Sequence, residues 1–140
     1  MEQFETMGMD GEPHRFQYRT DSDYCEGHKE VTFFVYTIPE NSNRFFEYTF
    51  IFKDKNTIKG KSVSHHSIPD FSKKGLPEKI IQIASDLFDC EVYSSPFQNS
   101  NSDDYLIEAS KKAWERLLKL DPYGEKDEVN KRYVLKKKPR

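Results

Sequence analysis

Two histidines stand side by side, His65 and His66, in a chain whose other two histidines are His14 and His28. Imidazole exchanges a proton near neutral pH, so either member of the pair is a candidate catalytic acid or base. Strand alternation sends adjacent side chains to opposite faces, so one of the two at most faces any given cleft. The bland alternative is a pair of ordinary polar residues on a weak strand. Shortly after them come Lys73, Lys74 and Gly75, then Pro77, Glu78 and the paired aliphatics Ile80 and Ile81. Amides left unpaired at a helix start, aligned with its dipole, attract anions, and a lysine pair beside them adds charge. A solvated turn accounts for the same lysines equally well.

Three further groupings invite chemistry. Cys25-x-x-His28 with His65 and His66 offers zinc-ligand types, but adjacent histidines point apart, which is the wrong geometry for a standard finger. Tyr93, Ser94 and Ser95 place hydroxyls at a strand end, with no identifiable base to activate a serine. Lys136-Lys137-Lys138-Pro139-Arg140 is basic without interleaved aromatics and reads as a solvated tail rather than a nucleic-acid contact.

The elements that must position these residues follow from periodicity. Residues 1 to 14, with Gly8, Gly11 and Pro13, show no apolar period and are expected to form a flexible lead-in. Phe16, Tyr18 and Thr20 alternate with polar neighbours as in a half-buried strand, and Asp21 to Lys29 reads as a loop. Val31 to Ile38 is β-branched and aromatic, suited to a central strand. After turn formers at Pro39 to Asn43, Phe46, Tyr48, Phe50 and Phe52 project to one side, making the second arm of an antiparallel hairpin. Ile58 to Ile68 is a further strand with Gly60 as a bulge. A helix is predicted over 77 to 88, a short strand over 91 to 95, and a polar loop to Asp104. A second helix carries the stripe Leu106, Ile107, Ser110, Ala113, Trp114, Leu117 and Leu118, and Arg132 to Leu135 forms a last strand.

The fold class is therefore α+β, with a mixed, mostly antiparallel sheet of about six strands and two amphipathic helices in one domain over residues 15 to 136. Its 140 residues suit one core, and 11 Phe and 8 Tyr make that core aromatic although only 35% of residues are apolar. With 22 basic against 24 acidic residues, the net charge of −2 gives no general attraction to nucleic acid or an anionic membrane. Cys25 and Cys90 read as free thiols, and no apolar run approaches bilayer length or resembles a secretory leader, which points to the cytoplasm.

The segment Pro69-Asp70-Phe71-Ser72-Lys73-Lys74-Gly75-Leu76-Pro77-Glu78-Lys79-Ile80-Ile81 resembles the signature segment of the GNAT acetyltransferase superfamily. There a strand ends in a proline-containing bend, and a loop of pattern Gln/Arg-x-x-Gly-x-Gly/Ala opens an amphipathic helix. Ala109 to Leu117 is similar to that family's later helix, and with the strand order the likeness spans roughly residues 30 to 136. The resemblance implies a GNAT-like (acyl-CoA N-acyltransferase-like) fold and an acetyl-CoA cofactor held by Ser67, Ile68, Ser72, Lys73, Lys74, Gly75 and Leu76. It also implies transfer of an acetyl group to a small-molecule or protein amine, with His65 or His66 taking the amine proton. Ser72 replaces the family's Gln or Arg, Pro77 replaces its Gly or Ala and removes one amide donor, and Trp114 replaces a proton-donating tyrosine. The two helices that shape the family's acceptor site have no room between Asp21 and Glu30. The alternative is a non-catalytic protein of the same fold that binds a protein partner through an aromatic face around Phe46, Tyr48 and Phe50.

Overall fold

A computed structural model of the chain describes residues 1 to 66, 68 to 96 and 108 to 139. Eight strands, β1 (Glu2–Met7), β2 (Pro13–Cys25), β3 (His28–Tyr36), β4 (Phe46–Phe52), β5 (Thr57–Ser64), β6 (Glu91–Tyr93), β7 (Gly124–Asp127) and β8 (Arg132–Leu135), form one sheet. Helix α1 (Leu76–Phe88) joins β5 to β6, and α2 (Glu108–Leu120) lies between β6 and β7. The strand order is β1-β2-β3-β4-β5-β6-β8-β7, and every neighbouring pair is antiparallel except β5 and β6. The fold is α+β as the periodicity predicts, with eight strands instead of about six.

Alternation decides which face is core. Val31, Phe33 and Val35 on β3 stand opposite Phe50, Tyr48 and Phe46 on β4, and all six are buried. Phe16 on β2, Ile58 on β5, Ile80 and Ile81 on α1, and Trp114 and Leu117 on α2 belong to the same cluster. Ring contacts run continuously across it, from Phe4 through Tyr18 to Phe33, and from Phe33 to both Phe50 and Phe88. Each aromatic buries roughly 150–250 Å², so few residues suffice. Both helices thus pack on the face carrying Phe33 and Phe50. The aromatic face around Phe46, Tyr48 and Phe50, considered above as a partner surface, is covered by them and is unavailable for that purpose.

On the opposite face Arg19, Phe34, Glu47 and Ser64 lie in one row across β2 to β5. There Phe34 packs edge-on against Phe45, and the Arg19 guanidinium lies 4.4 Å from the Phe34 ring centroid.

Two expectations are corrected. Residues 2 to 7 are a strand, because Phe4 pairs opposite Phe16 and drives its ring into the core. Asp21 to Lys29 is not a loop: β2 runs to Cys25, and Glu26 and Gly27 alone make the turn, both at positive φ (52° and 81°) as a two-residue hairpin turn requires. The acidic strand β7, with no apolar residue, exists through its pairing with β8. The basic C-terminus is exposed and makes surface ion pairs, Lys136 with Glu125 (3.3 Å), Lys137 with Asp89 (3.1 Å) and Lys138 with Asp121 (3.3 Å). The expected bulge near Gly60 is present, since the β4–β5 register jumps from Ser62 to Gly60. Ser67, the polar loop beyond Pro96, and Leu106 and Ile107 of the predicted stripe lie outside the described residues. No helix among the described residues is long and apolar enough to cross a membrane.

Candidate functional site

The site is built where the one parallel pair comes apart. β6 pairs with β5 over Thr57, Ile58 and Lys59 only, while β5 continues to Ser64 with no ladder partner on that border. In open sheets ligands collect where neighbouring strands part beside a helix start. A pocket of about 270 Å³ lies beyond the parting. Phe46 and Tyr48 from β4 line it, together with Val63 and Ser64 from β5, Pro77 from α1, and Ala109, Ser110 and Ala113 from α2. His65 and His66 both line it, against the expectation that one at most would, because β5 ends at Ser64 rather than Ile68 and strand alternation does not govern them. Its volume lies just below the range of drug-sized ligand sites, and its walls are mostly apolar.

An open groove adjoins it, sharing His65 and lined otherwise by Met9, Asp10, Ile68, Pro69, Ser72, Lys73 and Lys74. The connection from β5 to α1 that shapes both is tightly folded. Ile68 N–H donates to the His65 carbonyl (2.9 Å), and Pro69–Phe71 forms a 3₁₀ turn whose Phe71 ring is buried 6.0 Å from that of Phe16. His66 and Lys73 are both in the left-handed region (φ 53° and 57°), where side-chain-bearing residues are uncommon. The amide of Lys73 has no acceptor among the described residues, whereas that of Lys74 closes the turn through Ser72 and Lys73. The Lys73 carbonyl accepts from Met9 N–H (3.0 Å), which ties the β1–β2 turn to the groove.

The start of α1 differs from the sequence expectation in one respect. Gly75 is its N-cap at φ 74°, and the Glu78 side chain folds back into the first turn, so the helix dipole already faces a carboxylate. Arg116 on α2 neutralises that charge through Nη2 (2.9 Å) and Nε (3.3 Å). Burial pushes the Glu78 carboxyl up, against the pull of Arg116. Leu76 is a core residue and offers no side chain to a ligand.

Tyr48 and Trp114 form the pocket's floor support. The Trp114 indole N–H donates to the Tyr48 hydroxyl, and burial, with Glu78 nearby, pushes that phenol up and keeps it protonated. The tyrosine crosses Gly60, where a Cβ would stand 3.1 Å from its hydroxyl. Trp114 itself is buried and stacked on Tyr133 at 6.2 Å.

His66 Nε2 lies 3.5 Å from Glu47 Oε1, and its ring meets Phe45 edge-on at 5.0 Å. Glu47 carried no signal in the sequence, because its importance comes from a register that places it opposite Ser64. Ser94 is structural: its hydroxyl donates to the Ser95 carbonyl (2.7 Å) and accepts from Tyr133 N–H (2.9 Å). Arg132 stacks over Tyr93 at 4.1 Å. Cys25 and His28 face each other across the β2–β3 turn, but no group of three or more metal-ligating side chains occurs among the described residues.

Comparison with family models, curated proteins and solved structures returns no match for this chain.

Proposed function

We propose that the chain binds an acyl-coenzyme A thioester, acetyl-CoA being the simplest, and transfers its acyl group to an amine. The observation that carries this reading is a two-part site with His65 in both walls. The apolar pocket beyond the parting of β5 and β6 shares His65 with a groove lined by Lys73 and Lys74. A ligand with an apolar arm and a diphosphate suits that division. In this reading the diphosphate sits on Lys73 and Lys74 rather than on the axis of α1, where Glu78 stands, and the thioester lies along the free border of β5. Unpaired main-chain N–H groups there polarise the carbonyl oxygen as charge develops. The amine attacks the carbonyl carbon, the C–S bond breaks, and His65 or His66 receives the amine proton.

Titrating acetyl-CoA into isotope-labelled protein tests this. Amide shifts are expected at Lys73, Lys74 and Val63, and Lys73→Glu with Lys74→Glu should weaken binding about tenfold, ~1.4 kcal/mol. The loss should shrink as salt is raised. No binding at millimolar ligand overturns the reading. A coenzyme-binding but non-catalytic role is favoured by one observation, the commitment of Trp114 to Tyr48 and the core. Thiol release in the presence of an amine separates the two.

A further inference from the structure

Resting on the acyl-transfer reading, we propose that Glu47 positions His66 as the base of the reaction, and that the amine arrives from the sheet face the helices leave uncovered. His66 is held from three sides. Its amide donates to Ser64 Oγ (3.0 Å), its ring lies edge-on to Phe45, and its Nε2 faces the Glu47 carboxylate. Its left-handed main chain is the conformation that brings the ring to this place. Strained or rare backbone geometry persists where surroundings over-determine it, commonly at functional sites.

The carboxylate selects a tautomer. A hydrogen on Nε2 points at Glu47, which leaves the Nδ1 lone pair free to take a proton. The separation of 3.5 Å is long for a formed hydrogen bond and is the kind that tightens when a ligand excludes water. Glu47 stands opposite Phe34 on β3 and Ser64 on β5, on the uncovered face, whereas Phe46, Tyr48 and Val63 line the pocket from the other face. His66 lines the pocket as well, so it stands between the two. Glu47 and His66 side chains are 32% and 40% exposed, open to an incoming amine. A carboxylate beside the His66 and Phe45 rings suits a primary amine, cationic in solution, on an apolar carbon skeleton, while the Phe34 ring is already taken by Arg19.

The step balances without a further reactant. The ammonium nitrogen gives up a proton to His66 Nδ1, and its lone pair bonds the thioester carbonyl carbon. His66 passes that proton to solvent water. The C–S bond then breaks with the sulfur leaving as thiolate, and the nitrogen's second proton goes through His66 Nδ1 and water to the thiolate. Ammonium and thioester thus give amide, free thiol and one proton released to solvent.

The test uses acetyl-CoA with phenethylamine as the acceptor probe, following free thiol. Glu47→Gln should lower kcat about tenfold with the acetyl-CoA Kd unchanged, and Glu47→Asp should recover part of the loss. His66→Ala should lose a hundredfold or more, with partial rescue by added imidazole. In ¹⁵N spectra of the free wild-type protein, His66 should carry its hydrogen on Nε2, and Glu47→Gln should mix the tautomers. Wild-type turnover in Glu47→Gln or hydrogen on Nδ1 in the wild type overturns the Glu47 role alone, whereas acetyl-CoA binding without thiol release in the presence of the amine overturns this inference and leaves only the coenzyme-binding role. Failure of the wild type to bind acetyl-CoA overturns the acyl-transfer reading and this inference together.

Discussion

Glu78 is a carboxylate only 5% exposed, and among the described residues its one cationic partner is Arg116. Burial raises its carboxyl above the ordinary value, and Arg116 offsets only part of that. A folded-state pKa raised above the unfolded one gives a contribution fully present below the unfolded value of about 4.3 and lost as pH rises through the raised value. Urea unfolding from pH 4 upward should therefore show stability falling across that interval on account of this group. Glu78→Gln should remove the decline. Arg116→Met leaves the charge alone in a buried place and should cost about 3 kcal/mol at pH 7, much less near pH 4 where Glu78 accepts a proton.

At the scale of elements, the start of α1 is fixed by the main chain of a distant strand. A Cβ on Gly75 would stand 2.7 Å from the Met7 carbonyl oxygen at the end of β1, on a backbone already at positive φ. Gly75→Ala should cost about 2 kcal/mol or more, read as a shift in urea midpoint with unchanged slope. This contact also shows what periodicity reveals. Phe46, Tyr48 and Phe50 declare β4 because their spacing and burial coincide. Ile80, Ile81 and Ala84 declare α1 for the same reason. Met7, by contrast, matters through its carbonyl, and β1 has only Phe4 and Thr6 turned inward, too little to stand out beside Gly8 and Gly11. Asp21 and Asp23 read as turn formers, yet they extend β2 because Glu26 and Gly27 close the hairpin tightly enough to pair them with Thr32 and Glu30. The groove lysines and the histidine pair were legible as residue types. Glu47 was not, since its proximity to His66 depends on the fold of the β5–α1 connection.

Across the whole molecule, β6 is the narrow link between two antiparallel groups, β1 to β5 and β7 with β8. It offers three residue pairs to β5 and two to β8. Asp121 holds the smaller group in place: its carboxylate, 3% exposed, accepts from Tyr123 N–H (2.9 Å) and Gln82 Nε2 (3.0 Å) and pairs with Lys138. Burial would push this carboxyl up, but those three partners outweigh it and hold it below the ordinary value. A depressed folded-state pKa gives stability present above the unfolded value of about 3.9 and lost as pH falls through the folded one. Asp121→Asn should cost about 1.5–3 kcal/mol at pH 7, with the difference from wild type closing below pH 3, measured by denaturant titration.

The same narrow link governs how the molecule bears a load. The chain enters along one border strand, β1, and leaves from β8, one strand in from the far border. Tension applied to its two ends is therefore carried crosswise from strand to strand and meets the fewest rungs at β6. Stretching begins there, so the five-stranded portion outlasts the β7–β8 ribbon when the protein is drawn through a pore from its C-terminus.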